Sequence, residues 1–358
     1  MGIGDTSWDD AGFRSELDVT MAAFLDQQAS LLTALGPDAA RLVGEARVAV
    51  AGGKKFRAAF CHWGYRAVEP TPIDPAALLR ACASLELLHA SALAHDDLMD
   101  ASDTRRGRPA THRAFATEHE TAGWRGDPVQ YGAAAAILLG DLLQGWADEL
   151  LRRCGLGWDR VGPALKVFDL CRSEVIAGQF LDVSVQARGH ADVDAAMTVL
   201  RYKSAKYSIE RPLHVGAALA GAGPETLVAL TAFGLPLGEA FQLRDDLLGV
   251  FGDPTTTGKP AGDDLVEGKR TVLVALALDG CSDADRTLLD RSLGTPLSSA
   301  EVEQLRSIIE ASGAREQVEM MIAELSTVAV AALDAAALDD HAREVLRGLA
   351  AAVTQRAL

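Results

Sequence analysis

The chain has 358 residues, of which 49% are hydrophobic and 23% charged, the composition of an ordinary globular protein. A net charge of −16 argues against a nucleic-acid partner, which would require a basic face, but it does not exclude a phosphorylated substrate held by local cations. Five cysteines without metal-ligand spacing and a polar start that is not a signal peptide indicate a cytoplasmic protein.

Helices are predicted along the whole chain. Ala and Leu dominate and period-two runs of β-branched residues are scarce, which predicts an all-α fold with one large core. We expect a single domain over residues 1–358, with 1–14 as a flexible extension and no transmembrane segment. The predicted helices cover residues 15–35, 39–51, 56–67, 75–100, 133–151, 163–187, 192–221, 224–251, 271–279, 298–312 and 314–352. The connection over 101–132 is long enough to be a functional lid or binding loop.

The first candidate binding segment is Gly52-Gly53-Lys54-Lys55-Phe56-Arg57. Glycines allow backbone N–H groups to approach an anion closely, and Lys54 and Arg57 would share one face if Lys54 begins a helix. A helix N-terminus with two cations can hold a phosphate. Taken alone, this short pattern also fits a solvated turn.

The acidic end of the fourth predicted helix is the segment around which the other motifs are interpreted. Asp96 and Asp100 are one helical turn apart, and Asp97 lies about 100° round the helix. Such close carboxylates repel one another unless a hard divalent cation with oxygen ligands lies between them. Arg105 and Arg106 follow, and arginine forks suit the phosphate oxygens of a polyanion that the metal also binds. In isolation, the pattern also fits a solvated acidic helix end.

Polar residues recur in other apolar helices. His89 lies about two turns before the carboxylates, where a histidine is more often a hydrogen-bonded core residue than a ligand. Gln179 and Asp182 are three residues apart and share a face, so metal-bound water could satisfy them. Lys203 and Ser204 lie on a later helix, where a surface basic stripe is the alternative interpretation.

A second acidic helix end repeats the first. The helix 224–251 ends in a segment with Gln242, Asp245 and Asp246, and a basic loop follows. Two acidic ends cost closure entropy and repulsion to bring together unless they share ligands. Across a cleft they could hold several Mg²⁺ ions on one diphosphate, which fits a reaction in which diphosphate leaves and an allylic carbocation forms.

Five motifs in this order resemble those of the trans-isoprenyl diphosphate synthases, most closely the bacterial geranylgeranyl diphosphate synthases. They are Gly-Gly-Lys-x-x-Arg at Gly52, Asp-Asp-x-x-Asp with Arg-Arg-Gly at Asp96, Gly-Gln-x-x-Asp at Gly178, Lys-Ser at Lys203, and Phe-Gln-x-x-Asp-Asp at Phe241 with Gly-Lys at Gly258. The resemblance covers residues 20–350. It implies a single large helical bundle of the isoprenoid synthase type with a central substrate cavity, and a homodimer. It also implies Mg²⁺ (three ions, with Mn²⁺ as a substitute) and 1′-4 condensation of isopentenyl diphosphate with an allylic diphosphate, releasing diphosphate.

The resemblance also implies residue roles. The metal ligands are Asp96, Asp97, Asp100, Asp245 and Asp246, with Asp96, Asp100 and Asp245 the most direct. The groups on the allylic diphosphate are Arg105, Lys203 and Lys259. The groups on isopentenyl diphosphate are Lys54, Arg57, His89 and Arg106. The polar residues of the site are Gln179, Asp182, Ser204 and Gln242, and Lys269 with Arg270 matches a flexible segment that closes over the substrate. The leaving diphosphate is the expected proton acceptor.

Two positions depart from the family pattern. Gly249 stands where the second acidic motif usually has a third Asp, and the nearest later carboxylate is Asp253. Activity is expected to survive, with altered metal dependence. Ala58 replaces a proline, which is a minor change in how the helix begins.

Small residues before the first acidic motif suggest the product length. Ser91 and Ala92 precede Asp96 by five and four positions, where bulky aromatics in this family stop the product at fifteen carbons. Leu88, with Leu87, could form the next floor, so a twenty-carbon product is expected, with fifteen or twenty-five carbons as alternatives. A class I terpene cyclase and a non-catalytic regulatory subunit are the other interpretations.

Overall fold

The computed structural model describes residues 12–189, 192–252 and 262–355, and this part of the chain confirms the all-α prediction. The helices are α1 (Phe13–Leu32), α2 (Pro37–Val50), α3 (Phe56–Arg66), α4 (Pro75–Met99), α5 (Thr111–Ala122), α6 (Pro128–Arg152), α7 (Trp158–Arg188), α8 (Val193–Val199), a π-helical segment (Leu200–Glu210), α9 (Arg211–Leu219), α10 (Pro224–Phe251), α11 (Asp263–Glu267), α12 (Val272–Gly280), α13 (Asp283–Ser292), α14 (Ser299–Ala311), α15 (Ala314–Ala335) and α16 (Asp340–Thr354). A short 3₁₀ turn, Thr33–Leu35, follows α1, and two strands, β1 (Thr104–Arg105) and β2 (Arg108–Pro109), form a hairpin. The expected extension at 1–14 lies mostly outside the described residues. Lys259 also lies outside them.

The prediction that residues 101–132 form a structureless loop was wrong. The segment contains the β1–β2 hairpin and then α5, whose buried residues include Phe115, Ala116 and His119. Their spacing of one, three and four residues is helical, but basic residues and glycines at both ends obscure it in the sequence.

Other helices also differ from the prediction. The sequence did not indicate α11 or α13, α6 and α7 begin earlier than predicted, and the predicted helix 192–221 is divided into α8, the π-helical segment and α9. The predicted helix 314–352 is divided into α15 and α16. The break lies where the Asp339 side chain accepts a hydrogen bond of 2.9 Å from Ala342 N, and Asp339 N donates to Ala67 O at 3.0 Å. A cap of this kind starts a new helix inside an apparently continuous pattern.

The described residues fall into two compact units. The first contains the chain through Lys166 with Pro212–Ala222 and Asp339–Val345, and the second contains Val167–Arg211, Gly223–Leu338 and the remainder from Leu346.

In the first unit, α4 is the central helix and packs on α6, α3 and α1. It begins at Pro75 behind an N-cap, where the Asp74 side chain accepts from Ala77 N at 3.0 Å. Its buried residues occur on every side, as in a helix surrounded by others, so its acidic C-terminal end is held by the core.

Close backbone contact joins α3 to α9 within this unit. A Cβ at Gly64 would overlap with the Leu213 carbonyl, and a Cβ at Gly216 would overlap with the Cys61 carbonyl. The two glycines therefore fix the position of α3, whose first turn carries Arg57.

In the second unit, α10 packs on the π-helical segment and on α15. Its inward residues Leu243, Leu247 and Val250 belong to one buried cluster with Leu265 and Leu273. The α10 boundaries agree with the predicted helix 224–251, and its C-terminal end presents the second acidic motif.

Two of these core helices, α4 and α10, are also long and apolar enough to cross a membrane by length and composition. In the structure, 67% of the apolar window of α4 and 50% of that of α10 are buried within the protein. Core helices of water-soluble proteins pass the same test, so the result is weak evidence for a membrane span.

Candidate active site

The first acidic motif occupies the last turn of α4. Asp100 N donates to Asp96 O at 2.8 Å, which places these two residues one turn apart as predicted. Both side chains are half-buried, whereas Asp97 is 3% exposed. The Arg105 guanidinium donates to both carboxylate oxygens of Asp97, with Nε at 2.9 Å and 3.2 Å. A buried carboxylate is thus neutralised by the arginine that follows it.

A tight hairpin turn presents the second arginine. Arg106 and Gly107 have φ values of 52° and 72°, the positive values that a two-residue type I′ turn requires. The Arg106 guanidinium donates to Ala51 O at 2.7 Å. It also covers Gly53, where a Cβ would lie 2.9 Å from one guanidinium nitrogen. The structure therefore brings the Gly-Gly-Lys segment and the Arg-Arg-Gly segment together. The two residues that this hydrogen bond joins are 55 positions apart in the sequence.

Cations of both segments surround His89. Burial lowers the pKa of His89 well below its usual 6.5, and the positive charges of Arg57, Arg106 and Arg105 lower it further. The imidazole is consequently neutral at neutral pH. A neutral ring can take part in binding an anion through one N–H without adding to the repulsion among the cations.

Lys55 and Glu86 are residues of this cluster to which the sequence analysis assigned no role. Lys54 is exposed and lies 5.8 Å over the Phe56 ring, whereas Lys55 is 5% exposed and donates to Val50 O at 2.5 Å. Glu86 accepts from Ala58 N at 3.1 Å and lies 4.0 Å from the Lys55 ammonium. The sequence did show a charged residue, Glu86, one turn before His89 in an apolar run. Its partner Lys55 lies elsewhere in the sequence, so the pairing could not be predicted from the local pattern.

In the second unit, the Gly-Gln-x-x-Asp and Lys-Ser motifs meet. Lys203 Nζ donates to Asp182 Oδ2 at 2.5 Å, and Asp182 is 7% exposed. A Cβ at Gly178 would lie 2.8 Å from Lys203 Cα and would overlap with Lys203 N. Gly178 thus permits α7 to approach the π-helical segment closely. Inserted π turns often occur at functional sites, and this one carries Lys203 and Ser204.

The second acidic motif lies at the C-terminal end of α10. Gln242 Nε2 donates to Asp246 Oδ1 at 2.8 Å. Burial raises the pKa of Asp246 to about 8, and the neighbouring carboxylates of Asp264 and Asp245 raise it as well, while the Gln242 hydrogen bond opposes the change. Lys269 is close by and pairs with Glu267 at 2.5 Å and with Asp264 at 3.3 Å.

Comparison with known proteins identifies the family. A family model described as polyprenyl synthetase matches residues 42–311. The chain belongs to the polyprenyl synthetase family. A geranylgeranyl pyrophosphate synthase from Corynebacterium glutamicum, crystallised with isoprenyl diphosphate and magnesium, has a TM-score of 0.94 at 39% identity; the match covers 96% of this chain and 99% of that one. This polyprenyl synthetase is accordingly a prenyltransferase with the isoprenyl synthase fold.

Its relatives make products of several lengths. A short chain isoprenyl diphosphate synthase of Methanothermobacter thermautotrophicus is 34% identical over 307 residues, 86% of this chain and 87% of that one. A geranylfarnesyl diphosphate synthase of Aeropyrum pernix is 34% identical over 272 residues, 75% of this chain and 79% of that one. Farnesyl and geranylgeranyl diphosphate synthases match at 33% identity. Family membership therefore does not fix the product of this polyprenyl synthetase.

The predicted chain-length residues lie on the core helix α4. Ser91 is 2% exposed and Leu88 is 3% exposed, and Ala92 is half-buried. A larger side chain at Ser91 would therefore extend into the interior of the protein and not into solvent.

The donor atoms at both acidic ends suit a hard divalent cation. They are carboxylate oxygens, which Mg²⁺ prefers, and each end lies beside cations that suit a phosphate. Within the described residues, no group of three or more His, Cys, Asp or Glu side chains forms a ready-made metal cluster.

Proposed function

We propose that the protein catalyses the Mg²⁺-dependent head-to-tail (1′-4) condensation of isopentenyl diphosphate with an allylic diphosphate, releasing diphosphate. Its proposed main product is geranylgeranyl diphosphate, with twenty carbons. The observation that carries the proposal is the cluster of Arg57, Arg105 and Arg106 around His89, directly beside the acidic end of α4. Arginines suit a diphosphate and carboxylates suit its metal, and this reaction requires both.

The isopentenyl diphosphate is held by Lys54, Arg57, His89 and Arg106. The neutral imidazole donates one N–H, and the guanidinium groups bind phosphate oxygens in pairs. Arg106 is already oriented by Ala51 O and by its contact with Gly53, so little side-chain freedom is lost on binding.

The allylic diphosphate is bound by Arg105, Lys203 and Lys259, of which Lys259 lies outside the described residues. Arg105 and Lys203 each contact a buried carboxylate, Asp97 and Asp182, which orients the cation before substrate arrives. Gln179, Ser204 and Gln242 supply further hydrogen bonds. Lys269 and Arg270 are proposed to close over the substrate.

The metal is proposed to be Mg²⁺, as three ions, with Mn²⁺ as a substitute. Its ligands are proposed to be Asp96, Asp97, Asp100, Asp245 and Asp246. When bound, it neutralises the charge that develops on the leaving diphosphate. The relatives support a divalent metal: the C. glutamicum protein was crystallised with magnesium and a Caulobacter crescentus polyprenyl synthase with calcium.

The proposed reaction is balanced and requires no side chain to act as a base. The allylic C1–O bond breaks and its electron pair leaves with diphosphate, while the double bond of isopentenyl diphosphate forms the new bond to C1. A proton then leaves C2 of the isopentenyl unit and is accepted by the released diphosphate. The cations around the diphosphates stabilise the departing charge, which is where such electrostatic contributions are largest.

Incubation with Mg²⁺, isopentenyl diphosphate and each of the five-, ten- and fifteen-carbon starters tests the function. We expect elongation, with twenty-carbon diphosphate as the main product by mass spectrometry. No elongation of any starter would exclude the proposed reaction.

Replacing Ser91 by Phe tests the proposed chain-length floor. The aromatic ring would occupy the space beside α4 about 6–8 Å from Asp96 along the helix axis, so the main product should shorten to fifteen carbons. Ser91→Ala keeps a small side chain and should leave the twenty-carbon product unchanged. If Ser91→Phe also makes the twenty-carbon product, the floor lies elsewhere.

We also propose a cytoplasmic homodimer. The support is the pair of exposed apolar residues on α6, Ile137 and Leu138, and the pair on α7, Ile176 and Phe180, since patches of this kind are typical of interfaces. Sedimentation equilibrium should give twice the chain mass of 37.7 kDa, whereas a single-chain mass would contradict the dimer.

A further inference from the structure

Lys55 adopts a backbone conformation that is unfavourable for a residue with a side chain. Its φ of 55° lies in the left-handed region, where the side chain crowds the backbone and glycine is the usual residue. Lys55 is also buried, with 5% of its surface exposed, although a lysine is rarely buried without a partner. A strained residue of this kind persists only where the surrounding structure holds it. The contacts of its ammonium group show what holds it.

Three acceptors from different helices of the first unit surround the Lys55 ammonium. Nζ donates to Val50 O at 2.5 Å, at the end of α2, and lies 3.7 Å from Asp18 Oδ1 on α1 and 4.0 Å from Glu86 Oε2 on α4. Burial lowers the pKa of Lys55, and the negative charges of Glu86 and Asp18 oppose that change. The ammonium therefore ties the turn before α3 to three other helices.

Glu86 is the carboxylate that joins this anchor to the candidate binding site. Its side chain is 6% exposed, and Oε1 accepts from Ala58 N at 3.1 Å in the first turn of α3. Ala58 has the backbone N–H that a proline at this position would lack. Burial lowers the pKa of Arg106, and the negative charge of Glu86 opposes this change. One buried carboxylate thus holds the turn that carries Arg57 and offsets the charge of Arg106.

We propose that Lys55 and Glu86 are positioning residues for the isopentenyl diphosphate site. They hold the Gly-Gly-Lys turn and the first turn of α3 against α4, so that Lys54, Arg57 and Arg106 stay oriented toward one diphosphate. On this assignment neither Lys55 nor Glu86 contacts the substrate. The inference rests on the proposed function, because isopentenyl diphosphate is proposed to bind among these cations.

Removing the two charges separately and together tests the proposal. Four proteins are compared: the wild type, Lys55→Met, Glu86→Gln, and the double variant that carries both changes. Each replacement keeps the approximate length of the side chain and removes its charge. Steady-state kinetics measure the KM for each substrate with the other substrate saturating, and melting curves are recorded in parallel.

Each single variant should raise the KM for isopentenyl diphosphate by about tenfold, because misplaced binding groups lose much of their effect. The KM for the allylic substrate should stay nearly unchanged. Both single variants should also lower the melting temperature, since one charge of a buried pair is left without its partner. The double variant should recover part of the melting temperature, but its KM for isopentenyl diphosphate should stay as high as in the single variants.

Arg41→Met is the matched control. Arg41 pairs with Glu45 at 2.9 Å and with Glu118 at 2.7 Å elsewhere in the first unit. Its replacement should lower the melting temperature without raising the KM for isopentenyl diphosphate. A rise in KM in this variant equal to that of Lys55→Met would show that general destabilisation causes the effect, and would overturn the assignment.

Glu86→Gln distinguishes positioning from direct binding. If Lys55 bound the substrate itself, loss of the negative charge beside it would leave the KM for isopentenyl diphosphate unchanged or lower it. Either result would overturn the assignment, as would a double variant whose KM recovers together with its melting temperature. If Lys55→Met does not fold, Glu86→Gln and the double variant provide the test. Failure of the wild type to elongate any starter would instead contradict the proposed function, so the two failures are distinguishable.

Discussion

His62 on α3 is a titratable residue held by apolar contacts. Its ring lies 4.9 Å from that of Phe13 and 5.4 Å from that of Trp63, and its Nδ1 is buried without a hydrogen-bond partner in the described part of the chain. Burial lowers its pKa to about 4, and the charge of Arg66 contributes. The folded first unit therefore contains this imidazole in its neutral form.

The free energy of unfolding should depend on pH through His62. Because the folded-state pKa is depressed below the unfolded value of 6.5, the stabilisation is present above pH 6.5 and is lost as the pH falls toward 4. The full loss is about 3 kcal/mol. Denaturant titrations between pH 8 and pH 4 should show a shallower decline for His62→Gln than for the wild type. Above pH 7 the two curves should be parallel, and parallel curves down to pH 4 would contradict the assignment.

Substitutions at two adjacent glycines can distinguish the effect of backbone strain from the effect of displacing a binding residue. Gly52 and Gly53 have φ values of 68° and 80°, but only a Cβ at Gly53 would press on Arg106. Gly53→Ala should therefore raise the KM for isopentenyl diphosphate severalfold more than Gly52→Ala does, because it displaces the guanidinium. Steady-state kinetics with a saturating allylic substrate measure this difference. Equal KM values would mean that Arg106 does not bind that diphosphate.

At the scale of elements, the π-helical segment owes its position to glycines on the two helices that flank it. Gly178 on α7 faces Lys203, and a Cβ at Gly238 on α10 would lie 2.5 Å from Ala205 O. Backbone contacts this close hold Lys203 and Ser204 more rigidly than side-chain packing alone would.

Gly238→Ala should consequently destabilise the protein by about 1–3 kcal/mol, since the backbone must move apart. Gly44→Ala on α2 is the matched control: a Cβ there meets nothing within 4 Å, so the change should be neutral or stabilising by up to about 1 kcal/mol. Chemical denaturation measures both, and a neutral Gly238→Ala would show that the segment adjusts easily.

At the scale of the whole molecule, ligand binding should couple to stability. At the end of α4 the Asp97 carboxylate is paired with Arg105, at the end of α10 the Asp245, Asp246 and Asp264 carboxylates act on one another, and the net charge of the chain is −16. On the proposed function, Mg²⁺ and diphosphate bound together would balance these charges, whereas either ligand alone would leave part of the charge uncompensated.

The melting temperature should therefore rise more with Mg²⁺ plus inorganic diphosphate than the sum of the separate effects. Binding at about 100 times Kd would add about 2.7 kcal/mol to the unfolding free energy. Differential scanning fluorimetry with and without a chelator tests this, with NaCl of equal ionic strength as the control. A purely additive response would argue against a joint metal–diphosphate site.

The sequence by itself determined the helical class, the extent of α4 and α10, and the motifs that placed the chain in its family. Helical periodicity and the spacing of charged residues are local properties, so they can be read without knowing which helices meet. It also located Asp96 and Asp100 one turn apart, because both belong to one helix.

Only the tertiary structure decided how distant residues pair. Adjacent lysines have opposite environments, since Lys55 is buried against Val50 O and Lys54 is exposed. Asp97 is neutralised by Arg105 from a hairpin, and Asp264 reaches the space beside Gly249 from another helix. Such contacts depend on turn geometry and on the close packing of separate elements, which no local pattern encodes.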